Sequence, residues 1–312
     1  MATALLFHAF RSFSNPVKKI EREKDTLMKK ALIFVFMAVV AVGAYAQQNI
    51  ELNVANQHAH VKENAAGGGA GSLVFHTGGT VIRNANVVLI FWGPSFATGG
   101  ADNAYANELR NFRNQFGTTG EYNTITQYYG EDPISGYGNI ATGSLVGTQA
   151  DSFDTTTPPT NVTDATVQSE VQRYIAANGV DYNSVYEVFL PSSSYSSDGS
   201  STSCGGPNLA YCAYHSHYVD ASGKNVKYSI EPWPGCSGCS VAGFTLAQNQ
   251  EHFVCHESRE AVTDALGNAW FDRRGYEADD KCAWSPTPFI GTGGFGYQYE
   301  WSNANGGCIR TR

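Results

Sequence analysis

The residues best suited to chemistry are His256-Glu257-Ser258-Arg259-Glu260. The pattern is that of the metalloprotease motif HExxH with a carboxylate in place of the second imidazole. Residues four apart on a helix share a face. His256 and Glu260 can therefore both reach one ion about 2 Å away, and zinc accepts imidazole nitrogen and carboxylate oxygen alike. Glu257 falls on the flank of that pair, where it could take a proton from a water activated by the ion. A third ligand must come from elsewhere in the chain. The acidic run Glu277-Ala278-Asp279-Asp280 is the nearest supply, with Asp280 and Glu277 as its candidates.

The same residues admit other readings. A His and a Glu four apart also form a plain ion pair on a solvated helix face. His252 lies one turn earlier on that face, but it stands about 12 Å from Glu260 along the axis, so His252, His256 and Glu260 cannot share one ion. If His256 stays out, Glu260, Asp264, Glu277, Asp279 and Asp280 form a set of hard oxygen donors better suited to calcium. Zinc is the expected ion, with calcium or no metal as alternatives. His215 and His217, two apart on a strand, share a face. They read as exposed residues of a polar-faced strand that could also lend a ligand or a substrate contact.

The elements that must carry these residues follow from periodicity. The motif helix begins at Glu251, takes apolar surface from Val254, Cys255, Ala261 and Val262, and has a plausible stop at Gly267. Residues 81–92 read as a strand, and the run NVVLIF is apolar throughout, as in a strand buried on both faces. Residues 103–116 and 163–178 show helical spacing, the second ended by Gly179. Residues 186–190 form another buried strand. Residues 211–219 and 226–231 form a hairpin around a Gly-containing turn. Residues 122–148 suggest only short strands or loops, near 125–129 and 140–146. The serine-rich stretch 192–203 reads as a mobile surface loop, and residues 295–304 as a final strand. This order predicts a mixed α/β domain, a central mixed sheet flanked by helices.

Around that domain, residues 28–46 have the form of a secretory signal peptide. Lys29 and Lys30 precede an apolar run, and Ala44-Tyr45-Ala46 supplies the cleavage signal. The run is too short for a comfortable membrane span, so no stable span is expected after cleavage. Residues 1–27 then read as an upstream extension, residues 47–71 as a flexible glycine-rich linker, and residues 72–312 as a single domain. Export implies an oxidising compartment, where cysteines pair by default. Local spacing among the seven cysteines suggests Cys204–Cys212, Cys236–Cys239 and Cys282–Cys308, leaving Cys255 as a small buried apolar residue. The Cys236–Cys239 spacing also fits a redox motif or half a zinc knuckle, with a structural bridge preferred. A Cys282–Cys308 bridge would tie the acidic run against the sheet. The net charge of −8 and the lack of a basic patch argue against nucleic acid. Asn161-Val162-Thr163 is a glycosylation acceptor if the source glycosylates exported chains.

Several stretches together carry a family resemblance. They are FHTGGTVIRNANVVLIFWG, the CGG…CAYHSHY segment, Cys236 with Cys239, HESREAVTDALGNAWFD, EADDKC and YEWSNANGGC, in that order between Phe75 and Cys308. The chain resembles the phosphate-induced protein or Exordium family of secreted plant proteins, and more closely its bacterial relatives. Their pattern HExxEAxTDP, followed by an acidic segment, is matched at His256, Glu257, Glu260, Thr263, Asp264, Glu277 and Asp280, with Ala265 where proline is usual. The resemblance implies an extracellular or cell-wall protein, associated in plants with growth, and a zincin-like organisation for the bacterial type. The leading expectation is a secreted zinc hydrolase acting on a peptide or protein substrate. His256 and Glu260 would be ligands, Asp280 or Glu277 would complete the set, and Glu257 would be the base. The alternative is a non-enzymatic extracellular protein that binds cell-wall or surface partners through Trp233, Trp270 and Trp301.

Overall fold

A computed structural model describes residues 58–60, 71–142 and 151–312. The upstream extension, the signal peptide and most of the linker lie outside the described residues, as does the end of the 140–146 stretch. The centre of the fold is a six-stranded mixed sheet. Its strands are β1 (His58–His60), β2 (Asn86–Trp92), β3 (Ser152–Asp154), β4 (Ser184–Phe189), β5 (Tyr211–Val219) and β6 (Asn225–Glu231), in spatial order β1-β5-β6-β4-β2-β3. The hairpin β5–β6 is antiparallel, and β6, β4, β2 and β3 run parallel. β1 comes from the stretch read as a linker and pairs antiparallel to β5 at the sheet edge.

Helices cover both faces. Strand alternation divides β2 between two cores. Val87, Leu89 and Phe91 pack with α1 (Asn103–Phe116) and α3 (Leu246–Thr263), while Val88, Ile90 and Trp92 pack with α2 (Asp164–Asn178). The expected mixed sheet flanked by helices is therefore present, with α1, α2, β4 and the hairpin within two residues of their predicted bounds. The first strand starts at Asn86 rather than residue 81.

The alternation also lines part of the sheet face beneath α3, on β5, β6 and the middle of β4, with polar residues. Tyr214, Tyr218, Tyr228 and Ile230 join the α2 core. The intervening residues His215, Ser229, Glu231 and Glu187 are all buried and look towards α3. Ser258 Oγ donates to Glu187 Oε1 at 2.6 Å, and Gln250 Nε2 donates to Glu231 Oε2 at 2.7 Å.

α3 is the central helix of the fold, buried without a break from Asn249 to Thr263. It starts earlier than expected. Thr245 Oγ1 accepts from the Gln248 amide at 3.1 Å, and the Gln248 side chain accepts from the Thr245 amide at 2.9 Å, a reciprocal capping box. It ends at Asp264 rather than Gly267. The Asp264 carboxylate accepts from the Asn268 and Ala269 amides and turns the chain away, and Gly267 takes a left-handed conformation inside that turn.

The expected final strand is broken into Gly296–Tyr297 and Glu300–Ser302, the second paired with Gly307–Ile309. The break reflects a crossing over α3. A Cβ on Gly296 would lie 2.1 Å from the Gln248 carbonyl oxygen, and the Gly296 amide donates to Glu251 Oε2 at 2.7 Å. Only glycine lets the chain pass that close. The 192–203 stretch is not a loose loop. Tyr195–Asp198 and Ser201–Thr202 pair as strands, and Ser194, Ser196, Thr202 and Ser203 are buried. Residues 125–129 belong mainly to a 3-10 turn at Thr124–Gln127.

Three disulfides lie in the C-terminal part. Cys282–Cys308 forms as expected, but the other two join Cys204 to Cys236 and Cys212 to Cys239. The short turn Ser237–Cys239 packs on β5, so Cys236 and Cys239 face different neighbours and staple the turn to two segments rather than to each other. Cys255 is free and buried. Among the described residues, no helix is long and apolar enough to cross a membrane.

Candidate metal centre

α3, β5 and the acidic turn after α3 bring six titratable side chains together: His215, His256, Glu257, Glu260, Glu277 and Asp280. His256 Nε2 lies 3.0 Å from Glu260 Oε2 and 3.6 Å from Asp280 Oδ1. These three residues offer donor atoms that all lie within 4.8 Å of one another. Around a tetrahedral zinc with bonds near 2.0–2.1 Å, neighbouring donors are about 3.3–3.4 Å apart, so the two measured separations bracket the required edge. Glu277, the other expected ligand, faces His215 instead, with its Oε2 3.7 Å from Nε2.

The surrounding groups orient these donors. Gln298 Nε2 donates to the Asp279 carbonyl at 2.8 Å, which fixes the amide so that Oε1 is left as an acceptor. His256 Nδ1 stands 3.3 Å from that oxygen and must therefore be the donor. In the neutral ring this leaves a lone pair on Nε2, directed at two carboxylates. The 3.0 Å contact to Glu260 lacks hydrogen-bond geometry, and both His256 Nε2 and Glu260 Oε2 are buried without a hydrogen-bond partner. A lone pair against carboxylate oxygens is repulsive unless a proton or a cation lies between them. Glu260 is held in the same way. Its Oε1 accepts from the Asp279 and Asp280 amides at 3.0 and 2.9 Å, leaving Oε2 for the centre. Such outer partners are what metal ligands require. The residues thus fit a divalent cation.

Arg259 locks the acidic turn to the helix. Its fully buried guanidinium pairs with Asp279 through Nη2 and Nε, lies 3.2 Å from Glu300 Oε2, and donates to the Glu121 and Gln298 carbonyls. Asp279 is therefore engaged as an ion-pair partner, which removes one donor from the calcium set, while Asp264 takes both backbone amides on Oδ1 and its side chain also meets Glu277. The Cys282–Cys308 bridge and the Trp301 amide bonded to the Ala278 carbonyl at 3.1 Å hold the other side of the turn.

Charge balance points the same way. Arg259 serves Asp279 and Glu300, while Glu257, Glu260, Glu277 and Asp280 are almost wholly removed from solvent. Burial, and then neighbouring carboxylates, push Glu257, Glu277 and Asp280 well above the usual carboxylate range. Burial raises Glu260 to about 8 despite the amides that favour its charge. A buried excess of carboxyls must hold protons or a cation.

His215 corrects the expectation of an exposed strand histidine. It is 1% exposed, and its Nδ1 lies 3.0 Å from Glu257 Oε2 and 3.9 Å from Glu260 Oε2. His217, on the same strand, lies away from the centre, and burial lowers it to about 4. His252 is fully buried against Phe253 and Trp284, contributes no donor to the centre, and is lowered to about 3 by burial and by His256. Gln298 and Arg259 had no spacing signal in the sequence. Two of the proposed surface aromatics are interior. Trp270 packs among Phe75, Tyr128 and Tyr129, and Trp301 is 8% exposed, so they do not form a platform with Trp233. Comparison with protein-family models, with curated proteins and with solved structures finds no match to this chain.

Proposed function

We propose that the chain is a secreted zinc-dependent hydrolase whose substrates are peptides or proteins. The observation that carries this reading is the His256 ring. Its tautomer is set by Gln298, and its Nε2 lone pair converges with Glu260 Oε2 and Asp280 Oδ1 at separations suited to one zinc ion. Zinc held there would supply Lewis acidity towards a scissile carbonyl and make a water more acidic. Glu257 is the base this site offers. It follows His256 directly on α3, its Oε2 is held by His215, and its Oε1 has no hydrogen-bond partner. In that role it takes the proton of an attacking water and returns it to the leaving amine. Two carboxylate donors would leave zinc less electrophilic than a histidine-rich set, so modest rates are expected. The Exordium-like resemblance agrees with an exported, disulfide-bonded protein.

A second reading is favoured by one observation, the burial of the set. Asp280, the most exposed candidate ligand, is only 8% exposed. A centre closed in this way suits a non-enzymatic extracellular protein in which the ion fastens α3 to the acidic turn. Metal content of the purified chain, with Glu257→Gln and His256→Ala beside it, separates the two. About one zinc per chain, lost in His256→Ala and kept in Glu257→Gln with loss of casein hydrolysis, supports the hydrolase. Zinc with no hydrolysis in any form supports the fastening role. No bound metal in the folded protein refutes both.

A further inference from the structure

The centre contains a second donor group. His215, Glu257 and Glu260 also present donor atoms within 4.8 Å of one another, and they share Glu260 with the first group. The separations from His215 Nδ1 are 3.0 Å to Glu257 Oε2 and 3.9 Å to Glu260 Oε2, spanning the edge expected of a tetrahedral site. All three residues are at most 1% exposed. Two of the carboxylate oxygens, Glu257 Oε1 and Glu260 Oε2, lack any hydrogen-bond partner there. Glu277 stands beyond the imidazole, 3.7 Å from Nε2, and its carboxyl also meets that of Asp264. One divalent ion between His256, Glu260 and Asp280 leaves Glu257 and Glu277 around His215 without a cationic partner among the described residues, since the Arg259 guanidinium is committed to Asp279 and Glu300.

We infer that this group is a second divalent-cation site, joined to the first through the Glu260 carboxylate. The inference rests on the metal-site reading given above. A cation entering the second site takes the place of the proton that His215 Nδ1 shares with Glu257, and that proton leaves to solvent. Glu257 then becomes a ligand. Two ions sharing one carboxylate lie about 3.5–4 Å apart.

The test is zinc titration of the chelator-treated full chain by calorimetry, with elemental analysis of the endpoint, beside His215→Gln. Two binding steps in the wild type and one in His215→Gln are expected. A manganese-loaded wild-type sample should show an exchange-coupled electron paramagnetic resonance signal, which needs no variant to fold. A single step in both proteins, with uncoupled manganese, overturns the second site and leaves the first intact. Loss of both steps in a folded His215→Gln also overturns it, because His215 would then belong to the first site. No binding in any form removes the metal-site reading itself, and this inference with it.

Discussion

If a cation is what the buried carboxyls await, metal-free protein should grow less stable as pH rises, and zinc should reverse the trend. Asp264 and Glu251 lie outside the proposed ligand set, although Asp264 lies against Glu277. Burial pushes Asp264 up to about 7 and Glu251 up to about 8. Both folded values lie above their unfolded ones, so the stability they contribute is fully present below about pH 4 and is lost as pH rises through 7–8. Each such group costs about 1.4 kcal/mol per pH unit in that window. Between pH 5 and 7 the pair alone withdraws up to about 5 kcal/mol, a large part of a typical total of 5–15 kcal/mol. Near 2–4 °C per kcal/mol for a domain of this size, the melting temperature should fall by about 10–20 °C. Zinc acts in the opposite sense. It must displace protons from Glu260, itself raised to about 8, and from Asp280, so its affinity grows with pH. At a hundredfold excess over its dissociation constant it adds about 2.7 kcal/mol. The assay is scanning calorimetry of chelator-treated and zinc-loaded protein at pH 5, 6, 7 and 7.5. A flat profile for the metal-free protein, or a zinc increment as large at pH 5 as at pH 7.5, would refute the reasoning.

Other perturbations test separate parts of the centre. Gln298→Leu removes the acceptor that fixes the His256 tautomer and should weaken zinc binding about 10- to 100-fold in calorimetric titration, with the far-ultraviolet circular dichroism spectrum unchanged. Arg259→Met leaves Asp279 and Glu300 buried without their partner and should cost about 3–5 kcal/mol in urea unfolding. A loss below 1 kcal/mol would mean that the acidic turn does not depend on that pairing. Cys282→Ser with Cys308→Ser opens a loop with a sequence separation of 26, worth about 3–4 kcal/mol in the chain-entropy model, and should lower zinc affinity by loosening the acidic turn. Non-reducing peptide mapping should recover the Cys204–Cys236 and Cys212–Cys239 pairs, and a Cys236–Cys239 peptide would contradict the fold near β5.

What was legible in the sequence was whatever local periodicity determines. The hairpin β5–β6, α1, α2 and the His256–Glu260 spacing all depend on residues a few positions apart. So does the capping box at Thr245 and Gln248, which was readable but hidden because the apolar pattern of α3 is interrupted by Asn249, Gln250 and Glu251. Those polar residues lie inside because the part of the sheet beneath them is polar too, a match between two distant segments that no single window displays. The disulfides follow the same rule. Spacing alone pairs Cys282 with Cys308 correctly, whereas nearness in sequence mispairs the four remaining cysteines because the turn at Ser237–Cys239 brings different partners together.

His215 shows why the site itself was only half visible. Its alternation with Tyr214 and Ser216 was plain, but which side of β5 faces solvent depends on what covers the sheet. A strand with tyrosines on one face and histidines on the other reads as apolar inside and polar outside. Here α2 covers the tyrosines and α3 covers the histidine, so both faces are interior. A buried imidazole among three carboxyls then becomes a question of charge rather than of exposure. Arg259 is committed to Asp279 and Glu300, which leaves Glu257, Glu260, Glu277 and Asp280 to be balanced by protons or by metal. The two alternatives respond oppositely to pH, and for that reason the metal-free and zinc-loaded melting curves decide between them more directly than any single substitution in the set.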